Sequence, residues 1–97
     1  MDKNLLDDVV ARLRGKDATP ATQVLNEALA NSDQKEVLCA LREMSEAFGG
    51  VTTLAEQLGI DPGQLDRDLS RHGDPLISHF SAILKGMGMQ LKIRTLQ

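Results

Sequence analysis

Aromatic residues, cysteine and long apolar runs are scarce or missing in this sequence of 97 residues. Phe48 and Phe80 are its only aromatic side chains, so a base-stacking surface for single-stranded nucleic acid is not expected. The single cysteine, Cys39, excludes a disulfide framework and a multi-cysteine zinc site within the sequence. No apolar run approaches the length of a membrane span and no signal peptide is visible, which predicts a cytoplasmic protein without a membrane role.

Groups suited to catalysis or metal binding are also few. His72 and His79 lie seven residues apart across a predicted helix break, and neither stands beside a matched cysteine or carboxylate pair. The sequence contains no helical metal motif such as H-E-x-x-H and no glycine-rich phosphate loop. We therefore predict no catalytic residues, no cofactor and no metal site. Cys39 lies next to an apolar stripe and is interpreted as a small core residue.

The composition is that of one globular domain, with 41% hydrophobic and 26% charged residues. With so few aromatics, the core must be built from Leu, Val, Ile, Ala and Met. The net charge of −3 argues mildly against a DNA-binding protein that acts through bulk electrostatics. The acidic excess lies within residues 1–49, whereas residues 50–97 carry equal numbers of acidic and basic side chains.

Residues 50–88 give the clearest structural pattern, which is three short helices separated by tight turns. Thr52 or Thr53 is predicted to cap the first of these helices, because Thr53 has capping-box spacing to a glutamate. Gly59 is predicted to end this helix, because the residue after the last turn often needs a positive φ.

The second helix of the pattern is predicted over residues 62–71, followed by Gly73 as a stop. Asp61 is expected to cap it and Pro62 suits its first position. Asp74-Pro75 repeats the same device and is predicted to start the third helix. Two helices joined by a three-residue turn form the helix-turn-helix pattern. Three packed helices without a nucleic-acid role remain an alternative.

Candidate DNA contacts follow from setting Leu65 and Leu69 inward. The predicted contacts are Thr52, Thr53 and Gln57 on the first helix and Gly63, Gln64, Arg67, Ser70 and Arg71 on the second. In a helix-turn-helix the start of the second helix meets base edges, while the preceding helix touches phosphates. Gln64 is suited to adenine and Arg67 to guanine, whereas Arg71 is suited to phosphate.

Three aspartates oppose this interpretation. Asp61 caps the second helix, and Asp66 and Asp68 are predicted to flank its outward stripe. An isolated carboxylate that faces a phosphate is repelled by it. The pattern therefore predicts the fold more firmly than DNA contact. A protein-interaction module that kept the fold but lost DNA binding remains an alternative.

Residues 1–18 are predicted to form an N-terminal amphipathic helix and a linker, and residues 19–97 the helix-turn-helix domain. The apolar face of the first helix contains Leu5, Leu6, Val9, Val10 and Leu13. This helix either packs on its own domain or a twin subunit, or lies as an arm in a partner's groove.

Two further helices precede the central pattern. For one of them, Thr19 is predicted to be the cap and Pro20 the first helical residue, with Val24, Leu25, Ala28 and Leu29 directed inward. Asp33 is predicted to cap the other, a long helix over residues 34–48 that ends at two glycines.

In the C-terminal region the spacing of apolar residues changes from a helical period to strict alternation. Met89, Leu91 and Ile93 alternate with polar residues, which is typical of a half-buried strand. A lone strand invites pairing with a second copy, so these three residues are predicted to form the interface of a two-fold homodimer. The expected fold is all-α, with five to six helices, a lambda-repressor-like helix-turn-helix and a short C-terminal β-strand used in dimerisation.

Several short motifs resemble a known family in both order and spacing. They are LNEAL at residues 25–29, GVTTLA at 50–55, Gly59, Leu65-x-Arg67, Leu69-Ser70, Gly73-x-Pro75 and Leu84-Lys85-x-x-Gly88. The sequence thereby resembles the HigA-like addiction-module antidote proteins, a branch of the Xre/Cro-type helix-turn-helix superfamily.

This resemblance implies a DNA-binding antitoxin of a type II toxin-antitoxin module. Such a protein would neutralise a small ribonuclease-type toxin encoded beside it, dimerise, and repress its own promoter by binding double-stranded operator DNA. The acidic N-terminal half suits a small basic toxin. A stand-alone, phage-like Xre-family transcriptional regulator without a toxin remains an alternative.

Overall fold

A computed structural model of the protein describes residues 3–96, and this part of the chain is helical. Its elements are α1 (Lys3–Arg14), α2 (Thr19–Ala30), α3 (Gln34–Met44), a 3₁₀ turn (Ser45–Phe48), α4 (Val51–Leu58), α5 (Pro62–Asp68) and α6 (Ile77–Gly86). The all-α class and the number of α-helices expected from the sequence are confirmed.

One aliphatic core joins all six helices. Leu38 and Leu41 of α3 are among its fully buried residues, together with Leu54 of α4 and Leu65 of α5. Each such leucine contributes about 1.5–3 kcal/mol through removal of its side chain from water. The two phenylalanines lie only at the edge of this core, as partly buried side chains. Aliphatic side chains therefore fill the core in place of aromatic ones.

Helix α1 packs on its own domain, as one of the two sequence-based interpretations expected. Leu6, Val9 and Leu13 are buried within the common core. The predicted apolar face is slightly too wide, because Leu5 is 47% exposed. Leu29 of α2, also predicted to point inward, is 44% exposed.

The connection from α1 to α2 uses Asp17 in place of the predicted threonine cap. The backbone N–H of Thr19 donates to Asp17 Oδ1 at 3.1 Å, and this hydrogen bond lowers the pKa of the Asp17 carboxyl. Ala18 is the N-cap and Thr19 is already helical, so the predicted start is wrong by one residue. Pro20 does lie in the first turn, where its missing N–H costs nothing.

Asp33 caps α3 as predicted, since its carboxylate accepts from the Glu36 backbone N–H at 3.1 Å. The long helix is divided, however, because α3 ends at Met44 and continues as the 3₁₀ turn. The interpretation of Cys39 as a core residue is wrong. Cys39 is exposed, while its neighbours Leu38 and Ala40 occupy the buried side of α3.

Helix α4 starts from glycine and not from a threonine cap. Gly50 is its N-cap, with φ of 96°, and no side chain caps the helix. Thr52 and Thr53 therefore lie inside the first turn, and their predicted capping role is wrong. Gly59 ends α4 in the left-handed conformation, with φ of 71°, as predicted.

Helix α5 starts as predicted and ends earlier than predicted. Asp61 caps it by accepting from the Gln64 backbone N–H at 3.0 Å. Its last carbonyl groups are taken by Arg42 of α3, which donates to Asp66 O at 2.7 Å and to Leu69 O at 3.0 Å. The Ser70 N–H turns back to a closer carbonyl, that of residue 67. The helix thus ends at residue 68 rather than at residue 71.

The prediction that Asp74-Pro75 starts the third helix of the pattern is also wrong. Leu76, the N-cap of α6, is extended with φ of −60° and ψ of 150°, so helical geometry begins only at Ile77. The preceding turn is held from α3, because Gln34 Nε2 donates to the Gly73 carbonyl at 2.9 Å.

Residues 89–96 form no strand in the structure, so the predicted C-terminal β-strand is not supported. A strand needs a neighbour to pair its backbone groups, and the single chain supplies none there. Met89 instead turns back, with its N–H bonded to Leu84 O at 2.8 Å and its side chain packed against the core. Leu91 and Ile93 are exposed.

Replacement of Gly73 by alanine tests the close packing at the end of α5. A Cβ at this buried position would overlap the Asp68 carbonyl oxygen and lie 2.7 Å from Arg67 O. We expect Gly73→Ala to lower the free energy of unfolding by about 1–3 kcal/mol in urea titrations. Gly15→Ala is the control, since its Cβ would meet only Arg12 O at 3.5 Å. Equal unfolding midpoints for the two variants would contradict this packing.

Candidate nucleic-acid interface

Helices α4 and α5 follow each other through three residues, Gly59 to Asp61, and their arrangement is compatible with a helix-turn-helix. The predicted α4 contacts, Thr52, Thr53 and Gln57, are all exposed. On α5, Gly63 and Arg67 are exposed and Gln64 is half-buried. The sequence-predicted residues of the two helices are therefore available at the surface.

Gln64 and Arg67 are brought together one turn apart on α5. Arg67 Nη2 donates to Gln64 Oε1 at 3.1 Å. The guanidinium extends back towards the start of the helix, because a Cβ at Gly63 would lie 3.5 Å from Arg67 Nη1. The helix start is the end that meets base edges in a helix-turn-helix. The absence of a side chain at position 63 leaves room there for the arginine.

Asp68 fixes the orientation of the Gln64 amide. Gln64 Nε2 donates to Asp68 Oδ1 at 2.8 Å. A carboxylate oxygen accepts a hydrogen bond from the amide nitrogen and not from the amide oxygen. The nitrogen therefore faces Asp68 and the oxygen faces Arg67, so both ends of the amide are fixed by neighbours.

Asp68 is itself held from α6. The aspartate is only 5% exposed, and its Oδ2 lies 3.0 Å from Nδ1 of His79, which donates to it. Each carboxylate oxygen thus has a donor, as burial of such a group requires. His79, Asp68, Gln64 and Arg67 form one continuous chain of hydrogen bonds that runs from α6 through the buried Asp68 to the α5 surface. The prediction that Asp68 flanks the outward stripe is wrong.

The other two aspartates also have intramolecular partners. Asp61 accepts from the backbone at the start of α5. Asp66 lies 3.1 Å from Arg42 in an exposed ion pair, which contributes at most about 1 kcal/mol. The carboxylates that argued against DNA contact are therefore engaged in capping α5 and in fixing its end.

Ser70 and Arg71 do not extend the α5 stripe, because the helix has ended before them. The Ser70 hydroxyl donates to the Arg67 carbonyl at 2.7 Å, and Arg71 is exposed in the following turn. The DNA contact of Ser70 and the phosphate contact of Arg71 stay predictions.

His79 and Arg42 are the residues that the sequence did not reveal. They come from α6 and α3, at least 11 and 24 positions from their partners on α5. One signal was present, since Asp68 follows the inward Leu65 by three positions and so falls on the buried side of a helix. A carboxylate there requires a donor from another element.

Within residues 3–96, no group of three or more metal-ligating side chains comes together. No helix of the same described part is long and apolar enough to cross a membrane.

The fold and surface define a small all-α protein whose α4 and α5 are compatible with a DNA-binding helix-turn-helix. A family model described as "probable addiction module antidote protein" matches residues 7–95. The chain therefore belongs to this family, which supports an antitoxin role in a toxin-antitoxin system. Searches of curated proteins and of solved structures gave no match.

A double-mutant cycle tests the link between Asp68 and His79. We expect His79→Ala to lower the free energy of unfolding by about 1–3 kcal/mol, because it leaves the buried Asp68 carboxylate without one of its donors. Asp68→Ala should cost less, because the His79 side chain that it leaves is 30% exposed. The free energy of unfolding lost in the double variant should be smaller than the sum of the two single losses, by about 0.5 kcal/mol or more. Asp66→Ala, which removes an exposed pair, is the control. Additive losses would mean that the two side chains do not interact.

Proposed function

We propose that this chain is the antitoxin of a type II toxin-antitoxin module, which also binds its own operator as a homodimer and represses its promoter. The proposed toxin is a small basic ribonuclease-type protein, and the proposed site of action is the cytoplasm. Family membership supports the antitoxin role. The single observation that carries the DNA-binding part is the hydrogen-bonded pair of Gln64 and Arg67 on α5.

This pair suits base recognition because it is ordered before any ligand arrives. Free glutamine and arginine side chains lose rotamer freedom on binding, and a pair already held by Asp68 loses less. Gln64 keeps one amide hydrogen and one oxygen lone pair beyond its bonds to Asp68 and Arg67. These are the two groups with which glutamine contacts adenine, while arginine contacts guanine.

The surroundings of the pair favour DNA contact over its loss. The alternative of an interaction module without DNA binding depended on three repelling aspartates. Asp68 is buried and Asp66 is paired with Arg42, which leaves Asp61, the exposed cap of α5, as the carboxylate that can still repel a phosphate. Thr52, Thr53 and Gln57 remain exposed on α4 for phosphate contacts. A stand-alone regulator would use the same surface, and family membership favours the antitoxin over it.

The proposed toxin contact is supported by an acidic hollow between α1, α2 and α3. Its lining includes Glu27 and Glu36 together with the partly exposed Leu5. Acidic side chains beside an apolar one match a basic protein that also offers an apolar anchor. This surface lies on the acidic half of the chain, apart from α5.

Fluorescence anisotropy tests the DNA-binding part, with the upstream DNA of the gene and a scrambled duplex at two salt concentrations. We expect Arg67→Ala to weaken binding to the upstream DNA by about 1–3 kcal/mol and to reduce discrimination between the duplexes. Lys35→Ala removes the same charge from α3 and should leave discrimination unchanged. Equal, weak, salt-sensitive binding of the unaltered protein to both duplexes would refute the repressor proposal.

Co-purification tests the antitoxin part, with the product of a small basic open reading frame beside the gene. We expect a stable complex in which the RNA cleavage activity of that product is suppressed. Glu27→Lys should slow complex formation, because it places a positive charge before a basic partner. Glu56→Lys on α4 is the charge-matched control. Undiminished RNA cleavage in the presence of excess protein would refute the antitoxin proposal.

A further inference from the structure

The segment at residues 91–96, which we call the C-terminal arm, presents apolar and basic side chains to solvent. Ile93 and Leu96 are each 98% exposed, and the basic Lys92 and Arg94 alternate with them. The other exposed large aliphatic side chains are less exposed than these two, the highest being Ile77 at 79% and Leu76 at 65%. Two fully exposed aliphatic side chains on one short segment indicate a contact that the single chain does not supply.

A groove with the complementary character lies beside α3 and α6. It encloses about 350 Å³ above an apolar floor that includes Val37 and Phe80. Ile77, at its edge, is 79% exposed. Two acidic side chains line the same groove, Asp33 from the start of α3 and Asp74 from the turn before α6. The groove therefore combines apolar contact area with negative charge.

The arm begins next to this groove. A neighbouring hollow is lined by Leu91 and Lys92 of the arm, and it shares Leu29 and Phe80 with the groove. The start of the arm thus lies against the same surface, while its apolar residues further along extend into solvent. A two-fold axis that passes close to the start of the arm would bring the arm of a second molecule to this place.

We propose that the groove binds the C-terminal arm of a second copy, in a reciprocal two-fold dimer. Ile93 and Leu96 of one protomer contact the groove floor of its partner, and Lys92 and Arg94 face Asp33 and Asp74. This contact covers both the exposed arm and the groove, and a two-fold dimer contains it twice. It replaces the strand-to-strand pairing expected from the sequence. This inference rests on the homodimer of the proposed function and assigns its interface.

Charge reversal with complementation tests this interface by sedimentation. The groove variant is Asp74→Lys, and the arm variant is Lys92→Glu with Arg94→Glu. We expect the unaltered protein to be dimeric at micromolar concentration, and each variant to dissociate with a roughly tenfold or greater increase in the dimer dissociation constant. An equimolar mixture of the two variants should form dimers again, because the lysine introduced opposite Asp33 then meets an acidic arm, while the unaltered groove meets a basic one.

Matched controls separate this effect from general charge and from unfolding. Asp7→Lys on α1 and Lys85→Glu on α6 change charge outside the groove and arm and should leave the dissociation constant unchanged. Ile93→Ser should weaken the dimer without a change of net charge. Urea titrations at protein concentrations where every variant and the unaltered protein are monomeric should give near-native unfolding midpoints, since the altered residues are exposed.

The possible failures are distinguishable. If the unaltered protein is dimeric and the arm variant equally so, the interface assignment is wrong and the homodimer stands. If the variants dissociate but their mixture stays monomeric, the arm does not act between copies. If the unaltered protein is monomeric, both the interface and the homodimer are wrong. Protection of the groove from solvent by the toxin would then assign the groove to the toxin. The antitoxin and DNA-binding parts are judged by their own experiments.

Discussion

The geometry of the candidate interface depends on the guanidinium of Arg42. A helix of seven residues makes too few hydrogen bonds to be stable alone, so α5 must be held by the rest of the domain. Asp61 satisfies one end, burial of Leu65 holds the middle, and Arg42 takes the carbonyl groups at the other end. Because Arg42 lies on α3, which also contributes several core residues, the α5 surface is fixed relative to the centre of the domain.

A second constraint links the interior directly to the surface. The buried carboxylate of Asp68 needs donors on both oxygens, and it finds one in His79 and the other in Gln64. Stability and orientation therefore come from the same contacts. A half-satisfied network would cost stability and would also release the amide that faces outward. The outward position of Gln64 is thus determined by a residue that itself lies inside.

Helix caps and a tight turn were predictable from the sequence, and contacts between helices distant in the sequence were not. The Gly59 turn and the caps at Asp33 and Asp61 depend on two to four neighbouring residues, and all three are confirmed. The end of α5 and the engagement of Asp68 depend on side chains from α3 and α6, which periodicity cannot pair. The C-terminal alternation predicted a strand, but alternation alone cannot supply the neighbour that a strand requires.

The chain of hydrogen bonds through Asp68 has a consequence for protein engineering. Exposed positions of a short helix are commonly treated as a transferable cassette, to be moved onto another scaffold while the buried positions are left in place. Here the cassette is not confined to α5, because residue 79 on α6 sets the side-chain geometry of residue 64 through residue 68. A transplant of the outward residues alone would carry their identities and lose their arrangement. A portable unit must therefore include α6 with its histidine and also α3, whose Arg42 fixes the end of α5.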